Sequence, residues 1–264
     1  MIMAYIFIAV VAVLVAALTL FSGFGLGTIL MPVFALFFPI EIAIAATAVV
    51  HLANNVFKVL LVGRKANLKI VAIFALPAAL AAVAGAFLLG FVSKMEPIAT
   101  YSIGMRDFQI MPASFVIGIL IAFFGVTELM KFFEDRALDR KYVPIGGLLS
   151  GFFGGLSGHQ GALRTTFLVK LGMPKEQFVG TVVVSAVIVD VFRIVVYGMT
   201  FLAAREDITA GEGARVAVLV AIVAAFAGSF AASRLLKKIT MGAINKIVGV
   251  MLIALGLALA VGMV

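Results

Sequence analysis

Apolar residues fill this chain in blocks of membrane-crossing length, separated by short polar joints. The blocks fall at about 4–38, 40–62, 69–92, 111–131, 144–172, 175–199, 214–235 and 243–264. Gly63-Arg64-Lys65-Ala66-Asn67 is one joint; the others run Ser93 to Gln109, Lys131 to Lys141, Ala203 to Gly213 and Lys237 to Gly242. Runs that are apolar on every face need lipid around them. In lipid each backbone N–H and C=O must be satisfied within its own segment, so the blocks are expected to be helices. Continuous rather than alternating hydrophobicity argues against a barrel.

Composition sharpens this picture. Of 264 residues, 64% are hydrophobic and only 12% charged, and mean hydropathy is +1.27, far from a soluble domain. The length accommodates roughly six to eight membrane segments of about 20 residues. Net charge is +8, but the basic residues lie in short loops, where they set topology and meet anionic headgroups. No nucleic-acid motif accompanies them, so no nucleic-acid partner is expected. The absence of Cys excludes disulfides, thiolate metal sites and Cys nucleophiles. The apolar N-terminus lacks a basic n-region and an Ala-x-Ala-like cleavage site and is expected to be retained.

The chain also repeats itself. Shifted by 135 residues, Ser22–Gly63 lies on Ser157–Gly198 without a gap, with identities at Ser22/Ser157, Gly23/Gly158, Leu36/Leu171, Pro39/Pro174, Glu41/Glu176 and Gly63/Gly198 among others. Asn55 falls on Asp190 and Lys58 on Arg193. Ala81–Phe87 then matches Ala224–Phe230 at a shift of 143, as if residues were inserted around Arg205 to Gly213. A duplication follows: a first repeat over 1–132, a connecting loop over 133–142 and a second repeat over 143–264.

Charge places the loops. Lys58–Lys69, Lys131–Lys141 and Arg234–Lys246 are basic and expected inside; Ser93–Asp107 and Arg205–Glu212 are balanced or acidic and expected outside. An odd number of crossings must separate the Lys131–Lys141 loop from the Arg205 loop. That holds if 144–172 enters and leaves on one side as two half-helices meeting at Ser157-Gly158-His159-Gln160-Gly161, with a counterpart break at Ser22 to Gly27. The expected fold is therefore an all-α polytopic membrane protein of two inverted repeats, each a Gly-broken helical hairpin plus three transmembrane helices. A broken first helix that crosses fully is the rival.

The candidate chemistry clusters at those breaks and on one helix face. Gly23, Gly25 and Gly27, followed by Pro32, and Gly151, Gly154, Gly155, Gly158 and Gly161 either pack helices closely or free backbone N–H groups that suit an anion. Arg164 and His159 lie in the second break. A buried Arg needs water, a partner or a ligand, and its planar fork suits oxyanions; pairing with Asp190 is the plain alternative. His51, Asn54, Asn55 and Lys58 share one helix face by spacing, and Lys58 is near enough to a helix end to snorkel. The expected substrate-binding set is Gly25, Gly27, Thr28, His51, Asn54, Asn55, His159, Gln160, Gly161, Arg164 and Thr165. Lys58, Asp190 and Arg193 form a coupling or gating set, unless Asp190 and Arg193 simply neutralise each other. No catalytic residue, metal or cofactor is expected, and two isolated His do not make a metal site.

The stretch Gly23-Phe24-Gly25-Leu26-Gly27-Thr28-Ile29-Leu30-Met31-Pro32 resembles the Gly-rich, Pro-ended segment of the TauE/SafE family of sulfite exporters, and Gly151 to Leu168 resembles its second copy. The resemblance covers nearly the whole chain. The second copy departs from the pattern at His159-Gln160-Gly161, at Arg164, and at Phe167, which stands where the repeat alignment puts Pro32. The resemblance implies a secondary transporter, not an enzyme, in the bacterial inner membrane, exporting sulfite or an organosulfonate. A carboxylate or other small anion is the alternative cargo; a membrane-embedded enzyme or a channel is a more distant one. The implied partners are a small anionic substrate, with a sulfur oxyanion foremost, and membrane lipid, with a homodimer left open.

Overall fold

The two longest apolar blocks break at glycines, and the other six fold as single helices. The computed structural model describes residues 1–19, 25–130, 139–169, 171–203, 211–235 and 241–263. In the first half the helices are α1 (Ile2–Thr19), α2 (Leu26–Ala35), α3 (Ile40–Val62), α4 (Leu68–Val92) and α5 (Pro112–Leu129). In the second they are α6 (Val143–Ser157), α7 (Gly161–Val169), α8 (Lys175–Ala203), α9 (Gly211–Leu235) and α10 (Met241–Ala260). Helix α8 begins 135 residues after α3, and α9 is displaced by 143 residues from α4 at both ends. These are the two offsets of the sequence repeat.

Local chemistry explains the boundaries. Pro39 precedes α3, and Pro112 and Pro144 sit in the first turns of α5 and α6, where a missing N–H costs nothing. The Asn67 side chain accepts from Ile70 N at 3.2 Å and caps α4. Gly158 ends α6 at φ 81°, a left-handed cap. Gly25 opens α2 at φ 116°. The expected break at Ser22 to Gly27 is described from Gly25 onward; residues 20–24 and the Arg205 insertion over 204–210 lie outside the described residues.

One polar joint is not helical or irregular. Residues β1 (Ala99–Ile103) and β2 (Arg106–Ile110) form an antiparallel hairpin, with Tyr101 opposite Phe108 and their rings stacked at 5.4 Å. Gly104 turns the chain at φ 62°. The sequence pattern predicts only a polar loop over Ser93 to Gln109. The strand signal there is period-two patterning over only five residues each side, too short to stand out beside the helical blocks. Tyr101 donates to Val261 O at 2.6 Å, tying the hairpin to the end of α10.

Among the described residues, five helices are long and apolar enough to cross a membrane: Ile40–Lys65, Leu68–Val92, Pro112–Leu129, Lys175–Thr200 and Gly213–Ala232. Three shorter apolar helical stretches accompany them, and the protein is a multi-pass membrane protein. The halves pack through each other. Helix α1 lies on α9 and α6 lies on α4, the same pairing under the repeat; α5 lies on α10, and α3 and α8 cross between them. Lipid offers no hydrophobic drive to helix association, so close backbone packing must hold these pairs. A methyl group at Gly147, Gly151 or Gly155 of α6 would strike the carbonyl oxygens of Phe74, Ala78 or Ala82 of α4. Gly118 and Gly256 face each other's carbonyls across α5 and α10 in the same way. For Gly151 and Gly155, close packing is therefore what the glycine provides.

Candidate functional site

The start of α2 lies against the second break and against α3. A Cβ on Gly27, in the first turn of α2, would lie 3.4 Å from Gly158 O and 3.7 Å from His51 Cδ2. Gly25, Thr28 and Gly161 belong to the same two half-helix starts, where the first-turn N–H groups have no intrahelical acceptor.

Asp190 organises the polar core and is completely buried. His51 Nδ1 donates to its Oδ2 at 2.6 Å, joining α3 of one half to α8 of the other. Gln160 Nε2 donates to Oδ1 at 2.8 Å. Arg193 Nε donates to the same oxygen at 3.0 Å, with Nη2 2.8 Å from it. The Asp190 contact keeps the proton on Nδ1 of His51, which leaves Nε2 to accept from the Asn55 amide at 3.3 Å. A carboxylate with this many donors is fully satisfied, as a buried charge must be.

Arg193 also donates through Nη1 to Gly154 O at 2.8 Å, and the Tyr197 hydroxyl donates to Gly155 O. Helix α8 thus adds donors to carbonyls in the last turn of α6, with a cation at the negative end of its dipole. Ser150 Oγ donates to Gln160 O at 2.8 Å and fixes the far side of the break. Arg164, on the first turn of α7, donates from Nη1 to Gln160 Oε1 at 3.2 Å. It reaches Asp190 through that glutamine.

The remaining expected residues divide. Asn54 is buried, accepts from Ser229 Oγ at 2.8 Å through Oδ1, and has no acceptor for Nδ2. Lys58 is only 5% exposed, enclosed by protein rather than snorkelling as the sequence allowed. Thr165 keeps a buried, unpartnered hydroxyl. His159 turns away from the Asp190 cluster. Its ring stacks on Phe124 of α5 at 5.4 Å, with 4° between planes, its Nδ1 donates to Ser157 O at 3.0 Å, and Nε2 is unpartnered.

Sequence reasoning missed Ser229, Tyr197, Ser150 and Phe124. Ser229 was visible as a hydroxyl standing where the repeat has Ala86, and Tyr197 as a polar group one turn beyond Arg193; nothing local marked Ser150 or Phe124.

Charge sums the arrangement. Among the described residues, the buried charged side chains are Lys58, Arg164, Arg193 and Asp190, three cations to one carboxylate. No curated protein and no solved structure matches this chain significantly. The profile of the sulfite exporter TauE/SafE family, in contrast, matches residues 8–259. With that match over nearly the full length of a multi-pass helical protein, the chain belongs to the sulfite exporter TauE/SafE family, a family of membrane transporters.

Proposed function

We infer that the protein is a secondary carrier that exports a small sulfur oxyanion, sulfite or an organosulfonate, across a bacterial inner membrane. The observation that carries this reading is the buried excess of positive charge where the two helix breaks meet. Two half-helix starts supply N–H groups and dipoles, Arg164 supplies a planar fork, and Asn54 and Thr165 supply unspent hydrogen-bonding capacity. The repeat offsets and the reciprocal packing of the halves support two inverted units that alternate access around this centre. The His51–Asp190 hydrogen bond joins the units and is a contact that such a motion would have to break or carry. With the cell interior negative, exit of an anion is downhill by about 2.3 kcal/mol per charge per 100 mV. A carboxylate is the second cargo, because the Arg164 fork fits its two oxygens equally well.

Purified protein in liposomes loaded with sulfite is expected to give saturable efflux, reduced at least tenfold in Arg164→Gln. Absence of flux for sulfite, small sulfonates and small carboxylates alike, from protein that remains folded, would sink the reading.

A further inference from the structure

We propose that the groove between the ends of α4 and α8 binds an anionic phospholipid, with the headgroup on Lys94 and an acyl chain along Phe87, Phe91 and Met199. Such a site adds a lipid ligand to the carrier and is independent of its cargo.

The groove has a volume of about 410 Å³, toward the lower end of the roughly 300–1,000 Å³ of ligand pockets, and is lined by Phe87, Gly90, Phe91, Lys94, Met199 and Thr200. A helix of the first half forms one wall and a helix of the second half forms the other. Glycine allows the close approach beneath it: a methyl group on Gly90 would strike the Thr200 side chain. Outside that contact, Phe87, Phe91 and Met199 are each more than half exposed.

Depth selects the occupant. Two of the membrane-crossing segments end at Val92 and Thr200, so both reach the membrane boundary at the groove. Phe87, Phe91 and Met199 lie on the hydrocarbon side of that boundary, and Lys94 lies two residues beyond it. Acyl chains therefore surround the apolar walls, and headgroups surround the ammonium. Lys94 is exposed, and among the described residues no carboxylate pairs with it. A cation at the mouth of an apolar cleft between helices matches a molecule that is anionic at one end and apolar at the other. A zwitterionic phospholipid fills the same cleft, but its own cation sits beside its phosphate and it gains less from Lys94. The plain alternative is a terminal Lys that reaches into the headgroup layer without favouring any lipid at the groove.

The chain contains no Trp, so one introduced Trp reports alone. Phe91→Trp places it in the groove, and Phe115→Trp places it at an exposed position in the first turn of α5, outside the groove. Each full-length variant is reconstituted into vesicles of phosphatidylcholine and phosphatidylglycerol, with one lipid or the other brominated on its chains. Fluorescence quenching then gives the binding of phosphatidylglycerol relative to phosphatidylcholine beside each Trp. In Phe91→Trp a preference of at least threefold for phosphatidylglycerol is expected. Adding Lys94→Gln should bring it close to one, and adding Lys94→Arg should keep it. In Phe115→Trp the ratio should stay close to one. Equal binding of the two lipids at the groove overturns the proposal, as does a preference that survives Lys94→Gln. An equal preference in Phe115→Trp overturns it too, because the net charge of +8 would then attract anionic lipid everywhere. Absence of quenching by either lipid has the same consequence. Met199→Trp, on the α8 wall, supplies the same measurement if Phe91→Trp fails to fold.

Discussion

Helices α3 and α8 occupy matching places in the repeat, yet they treat charge in opposite ways. On α8 the acid and the base sit together: Asp190 and Arg193, three residues apart, form a buried pair, and Arg193 caps α6. On α3 the same positions carry Asn55 and Lys58, so the base has no acid three residues before it and the amide serves His51. The breaks differ in the same sense. The start of α2 carries Thr28 among glycines and apolar side chains, whereas the second break carries Gln160 and Arg164 with hydrogen bonds to its neighbours. The matched positions differ at a few residues, and those differences set where the buried charge lies. The buried acid–base pair thus belongs to the second half, and the first half contributes His51 to it.

The largest effect should come from the glycine surface that α6 alone presents to α4. Gly151→Leu forces a side chain into the backbone at Ala78, beyond the roughly 1–3 kcal/mol usual for overpacking. Loss of the monodisperse peak in size-exclusion chromatography is expected. Gly198→Leu, with nothing within 4 Å of its Cβ, should leave that peak in place. If both variants behave alike, close backbone packing is not what holds α6 to α4.

Next in size is the contrast at the paired positions. Asp190→Ala leaves Arg193 buried without its counter-charge, which costs roughly 3–5 kcal/mol. Asn55→Ala removes one hydrogen bond to His51, worth about 1 kcal/mol. Thermal denaturation in detergent should therefore show a much larger fall in Tm for the first. Equal falls would mean that the two halves carry equivalent polar cores, against the comparison drawn above.

The smallest contrast separates the two breaks by backbone conformation. Gly158 at φ 81°, ψ −3° is close to the left-handed region that Asn tolerates, and Gly25 at φ 116°, ψ −30° is not. Gly158→Asn should lower Tm by at most a degree or two, and Gly25→Asn should lower it further, in line with a cost of about 1–2 kcal/mol. The reverse order would show that side-chain space, not φ, governs these turns.

Much of the helical layout was legible in the sequence, because lipid imposes one rule on every backbone group it touches. The α3, α4 and α8 boundaries lie within a residue of the apolar blocks at their starts, and the α6–α7 break falls on Ser157 to Gly161 as expected. The candidate residues were legible as well, since a charge or amide inside an apolar block is conspicuous. Their partnerships were not. Spacing along α8 suggested the Asp190–Arg193 pair, but contacts such as His51 with Asp190, 139 residues apart, or Asn54 with Ser229, 175 apart, have no local trace. Nor did spacing tell that His159 would turn to Phe124 while Gln160 turned to Asp190.

The amino-acid order by itself determined the helices, the two glycine breaks, the repeat and the presence of buried charge. Each follows from the nearest residues and from the lipid around them. Which cations are neutralised and which remain was decided only when α3, α7 and α8 were packed together. Electrostatic balance depends on distances of a few ångströms between groups far apart in the chain, and those distances exist only in the folded protein.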